Sequence, residues 1–304
     1  MWKSRIYPKA LPNFFGGTGG DGDHTDWISD TIKVAILVAT YTPSSSHEFW
    51  SDVSGHEISV SGYSSGGISI GSKTVTYDST YRLVTLDGAN AHVSADVDNG
   101  DARYGIVYND SASNKPLIGY IDFGSIIDDN NTNSGDQYGF HWNDFANALF
   151  SFSTRTAGAV SWYGKALANA FGGETGGEDR RTNFTVDTIK VGLLDDGHTP
   201  DIHSHEVWSD VSGDEVSGSG YAAGGITVSG QVLSLSGKVL TLDFNDPFWS
   251  NVTLTNVRYA VAYNDTSTDK PLLWLFDLLA NQSPSAESLL ISMPAAGVAR
   301  LTAA

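Results

Sequence analysis

The stretch HEFWSDVSGHEISVSGY, residues His47–Tyr63, recurs almost unchanged as HEVWSDVSGDEVSGSGY at His205–Tyr221. Identical residues stand at a constant offset of 158 positions throughout the two stretches, which we call the repeated block. Chance does not produce such a match, so the chain is a tandem duplication. We therefore expect two modules, residues 1–155 and 156–304, joined near Ser153–Ser161 by a linker of small residues and only loosely coupled.

Short segments of alternating apolar residues surround each copy of the repeated block. Asp30–Val34 matches Asp187–Val191, and the period of two in this region is typical of a strand with one buried face. Arg103–Asp110 matches Arg258–Asp265, and each runs into an Asn-Asp turn, which indicates a β-hairpin. The sequence thus predicts an all-β fold of two tandem antiparallel β-sandwich modules, with about seven or eight short strands in each.

A short helix is predicted near the start of the second module. Trp162–Phe171 is rich in good helix formers, and Gly172 stands where a C-cap glycine belongs. The fold prediction allows a short N-terminal helix in each module, but Pro8 and Pro12 in the aligned segment Trp2–Phe15 make the one in the first module doubtful.

The composition excludes several classes of partner. The chain has 17 basic and 35 acidic residues and a net charge of −18, so phosphate backbones and anionic lipid surfaces repel it. We therefore expect neither nucleic acid nor membrane as a partner. Cysteine is absent from the sequence, which rules out disulfides and thiolate metal sites.

Two segments invite a metal interpretation. The Gly16–Asp21 loop begins like a glycine-rich calcium repeat, but it is a single copy and the pattern fails at Asp23. His203 and His205 would point to the same side of a strand, yet Ser45 stands opposite His203 in the first copy. A flexible acidic loop and unliganded histidines explain these segments better, and we expect no metal and no cofactor.

The acidic residues Glu48, Asp52 and Glu57, with their second-copy partners, suggest a carboxylate pair for glycoside hydrolysis. Acids beside serine and glycine more commonly cap turns. A duplicated fold must also keep its packing residues twice, whereas two complete catalytic sites in tandem are rare. We therefore assign no catalytic residue and expect no enzymatic activity.

The aromatic residues of the repeated block are Trp50, Tyr63, Trp208 and Tyr221. Large aromatic side chains bury the most area, so we interpret these four as core or interface anchors. An exposed aromatic platform for sugars is the alternative interpretation.

Motifs along the first module resemble a family of tailed-bacteriophage virion structural proteins about one module long. The matching segments are Ser29–Val34, Tyr41–Pro43, His47–Asp52, Gly62–Gly67, Arg103–Asp110 and Pro116–Phe123. The resemblance covers most of residues 7–150 and again 163–301. The second copy departs at His198, which replaces a tyrosine, and at Leu278-Leu279, which replaces Phe-Gly. These departures indicate that one module kept contacts that the other lost.

The resemblance implies a particle component, in the first place a capsid decoration or head accessory protein. Such a protein would sit on the head surface of the virion and stabilise the shell by binding the major capsid protein, and we also expect a homo-oligomer. Duplication would double the contact surface and raise avidity on a repetitive lattice. The alternative is a neck or tail accessory module that binds host-surface glycan.

Overall fold

The computed structural model describes residues 3–16, 24–80, 82–94, 101–124, 137–140, 149–153, 160–172, 180–294 and 297–302. We refer to residues 1–155 as the first half and to 156–304 as the second half. Elements of the first half are β1 (Lys3–Ile6), α1 (Ala10–Asn13), β2 (Ile32–Val38), β3 (Ile68–Ser69), β4 (Thr74–Asp78), β5 (Leu83–Asp87), β6 (Ala91–Ser94), β7 (Ala102–Asn109), β8 (Leu117–Asp122), β9 (Gln137–Phe140) and β10 (Phe150–Ser153).

The second half repeats this order of elements. They are β11 (Val160–Trp162), α2 (Gly164–Ala170), β12 (Ile189–Asp195), β13 (Ile226–Thr227), β14 (Val232–Ser236), β15 (Val239–Asp243), β16 (Phe248–Thr253), β17 (Val257–Asn264), β18 (Leu272–Gln282), β19 (Ser285–Leu290) and β20 (Ala299–Thr302). Strands account for 42% of the chain and helices for 10%, which confirms the predicted all-β class. Ten strands are described in each half, more than the seven or eight expected.

The two halves have the same sheet topology. A five-stranded antiparallel sheet has the order β1-β8-β7-β2-β3 in the first half and β11-β18-β17-β12-β13 in the second. A three-stranded sheet (β10-β5-β4 or β14-β15-β20) and a two-stranded ribbon (β6-β9 or β16-β19) complete each half. Each of these ladders joins strands of one half only, so backbone pairing follows the division that the repeat predicts.

A short helix is present near the start of both halves, as the fold prediction allowed, although Pro8 and Pro12 made the first one doubtful. Helix α1 is a single turn, and Pro12 lies within it. The missing N–H of a proline costs little there, because the N–H groups of a first turn have no intrahelical partner. Helix α2, without prolines, extends over seven residues.

The two halves place a large and a small residue at opposite positions of the same pair of facing strands. A Cβ atom on Gly119 of β8 would lie 2.5 Å from the Phe150 ring of β10. The corresponding ladder positions in the second half hold Trp274, which is 1% exposed, and Ala299. One large ring therefore occupies the space between the sheets in each half, supplied from opposite layers, because interiors tolerate neither voids nor overlap.

The halves pack against each other reciprocally. The Trp27 amide donates to the Phe171 carbonyl, and the equivalent Phe184 amide donates to the Phe15 carbonyl, both at 3.0 Å. The Phe14 and Phe171 rings meet edge to face with centroids 4.5 Å apart.

The helices cross the junction in the same reciprocal way. Helix α2 packs on β4 and β5 of the first half, and α1 packs on β14 of the second half. The buried apolar residues of both halves form one continuous cluster. The expectation of loosely coupled modules was therefore wrong, since the chain folds as a pseudo-twofold internal dimer.

This junction predicts a single cooperative unfolding transition that a change at the α2 contact lowers. A Cβ atom on Gly164 would lie 1.9 Å from the Tyr77 ring of the other half, so Gly164→Ala should cost about 1–3 kcal/mol through overpacking. Gly55 has no atom of another residue within 4 Å of such a Cβ, and Gly55→Ala is the matched control, with an expected change below about 0.5 kcal/mol. Differential scanning calorimetry measures both, and two separate transitions would contradict the shared core.

Candidate functional site

The repeated block is held onto β2 in the first half and onto β12 in the second half by a tyrosine–glutamate pair. The Tyr63 hydroxyl accepts a hydrogen bond from the Ile36 amide at 2.9 Å and donates to the Glu57 carboxylate at 2.7 Å. Tyr221 makes the same bonds with the Leu193 amide and with Glu215. Burial raises the pKa of both tyrosines well above the ordinary value, so the phenols stay neutral donors.

The glycine pair that follows the block explains its close approach to the sheet. The Gly66 amide donates to Glu57 at 2.7 Å, and the Gly66 carbonyl accepts from the Tyr108 hydroxyl at 2.7 Å. A Cβ atom on Gly67, which has a φ of 70°, would lie 2.0 Å from the Val34 carbonyl oxygen. A side chain at Gly67 would therefore push the block away from β2.

The two tryptophans of the block pack on the tyrosines of the neighbouring strand. Trp50 stacks on Tyr108 with centroids 4.6 Å apart, and Trp208 stacks on Tyr263 at 4.5 Å. Trp208 is 9% exposed, whereas Trp50 is only partly buried. The Trp208 ring lies directly over Gly192, where a Cβ atom would come within 2.3 Å of it. The tryptophans and tyrosines of the block thus lie in or against the core rather than on an open platform.

The carboxylates considered for hydrolysis bind other parts of the fold. Glu48 accepts from Lys9, just before α1, at 2.6 Å. Its counterpart Glu206 accepts from Lys165 in α2 at 2.8 Å and from Arg180 at 2.7 Å. These ion pairs attach the block to the helix of its own half.

Asp52 caps the turn that begins the block. Its carboxylate accepts hydrogen bonds from the Phe49 and Glu48 amides, at 3.0 and 2.8 Å, and these bonds lower the pKa of Asp52. A carboxylate held ionised in this way is a turn cap and a poor proton donor.

A buried polar cluster beneath the block differs between the halves. In the first half the Tyr41 hydroxyl lies 2.6 Å from the Tyr7 hydroxyl and 2.8 Å from Nδ1 of His47. Burial raises the pKa of Tyr41 to about 12. This hydroxyl therefore remains protonated and links the buried Tyr7 to the partly exposed His47.

In the second half His198 takes the place of Tyr41. Its Nδ1 lies 2.7 Å from the Asp214 carboxylate, and its shorter ring does not reach the groups that Tyr41 links. The Tyr163 hydroxyl, Nδ1 of His205 and Nε2 of His198 are buried and have no hydrogen-bond partner within the described ranges. The departure noted in the sequence therefore removes a hydrogen-bonded bridge from one half.

The histidine pair considered for metal binding is divided between two environments. Nδ1 of His203 lies 2.8 Å from the Tyr77 hydroxyl across the junction, whereas His205 packs beside His198 with centroids 5.6 Å apart. Over the part of the chain that the structure describes, no group of three His, Cys, Asp or Glu residues could hold a metal ion. Apart from Gly16, the Gly16–Asp21 loop and Asp23 lie outside the described residues.

Two clefts lie at the junction, related by the pseudo-twofold. The larger, about 640 Å³, is formed by second-half residues around Pro200–His203 and by Arg82 of the first half. The smaller, about 160 Å³, is formed by first-half residues around Pro43–Ser45 and by Lys238 of the second half. Arg82 and Lys238 occupy equivalent turns, β4–β5 and β14–β15, so each half contributes a cation to the cleft of the other.

Sequence reasoning did not find these clefts. Arg82, Asp201 and Leu279 line the larger one, and none of them belongs to the repeated block. The available signal was the replacement of Phe-Gly by Leu278-Leu279, since Leu279 stands where the first half has Gly124. A ligand cleft built from both halves requires their relative placement, which no single segment encodes.

Comparisons of the chain with models of protein families, with curated proteins and with solved structures found no match. Among the described residues, no helix has the length and apolar character needed to cross a membrane.

The burial of the two tryptophans predicts unequal effects on stability. Trp208→Ala should lower the free energy of unfolding by about 3–5 kcal/mol, because it removes a buried ring and leaves a cavity over Gly192. Trp50→Ala should cost less, since Trp50 is already partly exposed. Urea denaturation followed by fluorescence measures both variants. An unchanged midpoint for Trp208→Ala would place that ring outside the core.

The missing bridge in the second half predicts a stabilising substitution. His198→Tyr would restore a hydroxyl between Tyr163 and His205, and we expect a gain of about 1 kcal/mol in the free energy of unfolding at pH 8. The reverse change, Tyr41→His, is the matched control and should cost about 1–3 kcal/mol, because His56 stands where Asp214 would be needed. A loss of stability in His198→Tyr at that pH would contradict this account.

Proposed function

We propose that the chain is a structural component of a tailed-phage particle, a head accessory protein that binds the outside of the shell. The observation that supports this proposal is that the repeated residues hold the fold together rather than form a reactive site. The motifs that resemble the virion family are those that build the fold: Tyr63 and Glu57 hold the block, Gly66-Gly67 allows its approach, and Trp50 packs on Tyr108. Residues kept twice for packing suit a protein whose role is to present a rigid surface.

The pseudo-twofold arrangement supports a lattice-binding role. Closed shells built from repeated subunits contain twofold relations between neighbouring subunits, and an internal dimer presents two equivalent surfaces that are related in the same way. Two linked contacts bind such a lattice more tightly than one, without any new type of contact. A homo-oligomer of this chain is not needed to form the twofold, because one chain already supplies the symmetry that two single modules would provide.

The charge of the chain supports an external position. At a net charge of −18, the protein would be repelled by packaged DNA inside a head and would keep particles apart when placed outside. The major capsid protein is the partner that this proposal requires.

Immunogold electron microscopy of particles from the virus that encodes this chain tests the position. We expect label distributed over the head. Particles from which the protein has been removed should open their shell at a lower temperature than intact particles. Label confined to the neck or tail would support the glycan-binding alternative instead. Absence of the chain from purified particles would overturn the virion assignment.

The second candidate function is binding of a host-surface glycan from the neck or tail. The specific observation in its favour is the larger junction cleft, with Tyr259, His203 and two aspartates in its lining. This candidate shares the structural role of the first and differs in the location and in the ligand.

A further inference from the structure

The larger junction cleft has the composition of a ligand site, and we propose that it binds a neutral oligosaccharide. Its volume of about 640 Å³ lies within the usual range of small-ligand pockets. The proposal concerns a site and a ligand class, and it holds for a particle protein on the head as well as for one on the tail.

The lining combines an apolar surface with carboxylates, the pairing that a sugar requires. Leu275, Ile202 and Pro200 provide apolar area, and the rings of Tyr259 and His203 add flat faces. Sugar rings have apolar C–H faces and a rim of hydroxyl donors, so they fit surfaces on which apolar and acceptor groups alternate.

Hydrogen bonds orient both carboxylates of the cleft. Asp201 accepts hydrogen bonds from the Ser204 hydroxyl and from the His203 and Ser204 amides, and these bonds lower the pKa of Asp201 to about 2. Asp277 accepts from Arg258 at 2.9 Å and from the Leu279 amide at 2.7 Å. Since a carboxylate has about four acceptor positions, each aspartate retains capacity for a sugar hydroxyl.

The charges of the cleft balance, which selects a neutral ligand. The lining contains the carboxylates of Asp201 and Asp277 and the guanidinium group of Arg82. Arg258, behind the lining, pairs with Asp277, so the two aspartates are matched by two arginines. An anionic sugar would meet the two carboxylates, and a cationic ligand would meet Arg82. Either ligand would lose hydration that the lining restores only in part.

Leu279 is the observation that distinguishes this cleft from an ordinary surface depression. It is 73% exposed and has a φ of 65°, a left-handed conformation that is unfavourable for a leucine. The equivalent residue of the first half is Gly124, with a φ of 84°. The left-handed backbone of Leu279 and its exposed apolar side chain both cost stability. Residues with such features concentrate at ligand sites.

The smaller cleft lacks these features, so we assign one site to each chain. Ser44 and Ser45 follow Pro43 in the smaller cleft, whereas Asp201 and Ile202 follow Pro200 in the larger one, and the smaller volume is about 160 Å³. The lining of the smaller cleft contains neither an aspartate nor an exposed leucine, so these two features are specific to the second half.

The experiment uses the full chain against a panel of immobilised glycans, followed by saturation-transfer NMR with maltohexaose, cellohexaose and chitohexaose as soluble neutral probes. We expect binding to at least one neutral glycan and none to sialylated or sulfated ones. Failure to bind any neutral glycan, or binding to charged glycans only, would overturn the proposal.

Three variants locate the site. Leu279→Gly should weaken binding by about tenfold while leaving the melting temperature unchanged or higher, because it removes strain together with ligand contact. Asp201→Asn and Arg82→Ala should each weaken binding at least about tenfold. Leu290→Ala, at a leucine that is 52% exposed outside the cleft lining, is the control and should bind normally. Full binding by both Leu279→Gly and Asp201→Asn would place the sugar elsewhere and refute the cleft.

The glycan result and the particle result are independent. A chain that binds sugar but is absent from particles would keep this inference and refute the virion role, whereas head label without glycan binding would do the reverse.

Discussion

The structure depends on one reciprocal contact, the pair of backbone hydrogen bonds that joins Trp27 to Phe171 and Phe184 to Phe15. These bonds lie among the aromatic rings that close the junction, where unpaired amides would be costly. At the same junction each helix packs on the three-stranded sheet of the other half. The buried apolar residues of the two halves form one cluster, so each half completes the core of the other.

This arrangement changes the meaning of the duplication. A tandem repeat on a flexible linker would offer two independent binding units, whereas the internal dimer offers one rigid unit with two equivalent faces. The same junction also creates clefts that no single half contains, because Arg82 and Lys238 each cross to the opposite side. Symmetry therefore supplies the scaffold, and departures from symmetry supply any specialised site.

Three departures show how the halves have diverged without losing the fold. Gly119 with Phe150 and Trp274 with Ala299 exchange volume between layers and leave packing intact. His198 in place of Tyr41 breaks a buried hydrogen-bonded bridge. Leu279 in place of Gly124 adds strain and exposed apolar area at the larger cleft. The first keeps the space between the sheets filled, the second leaves buried polar atoms without a partner among the described residues, and the third exposes an apolar side chain at the cleft that we propose binds sugar.

The sequence alone determined the duplication, the all-β class and the packing role of the repeated block. Those properties follow from local patterns: the offset of 158, the period-two alternation after Asp30, and paired turn signals. It also indicated His198 and Leu279 as departures, without saying what they do. Only the tertiary structure decided that the halves are coupled, that Pro12 is compatible with a helical turn, and that Arg82 and Asp201 line one cleft. The physical reason is that these outcomes depend on contacts between residues far apart in the chain, which are set by how two sheets and two helices fill a shared core.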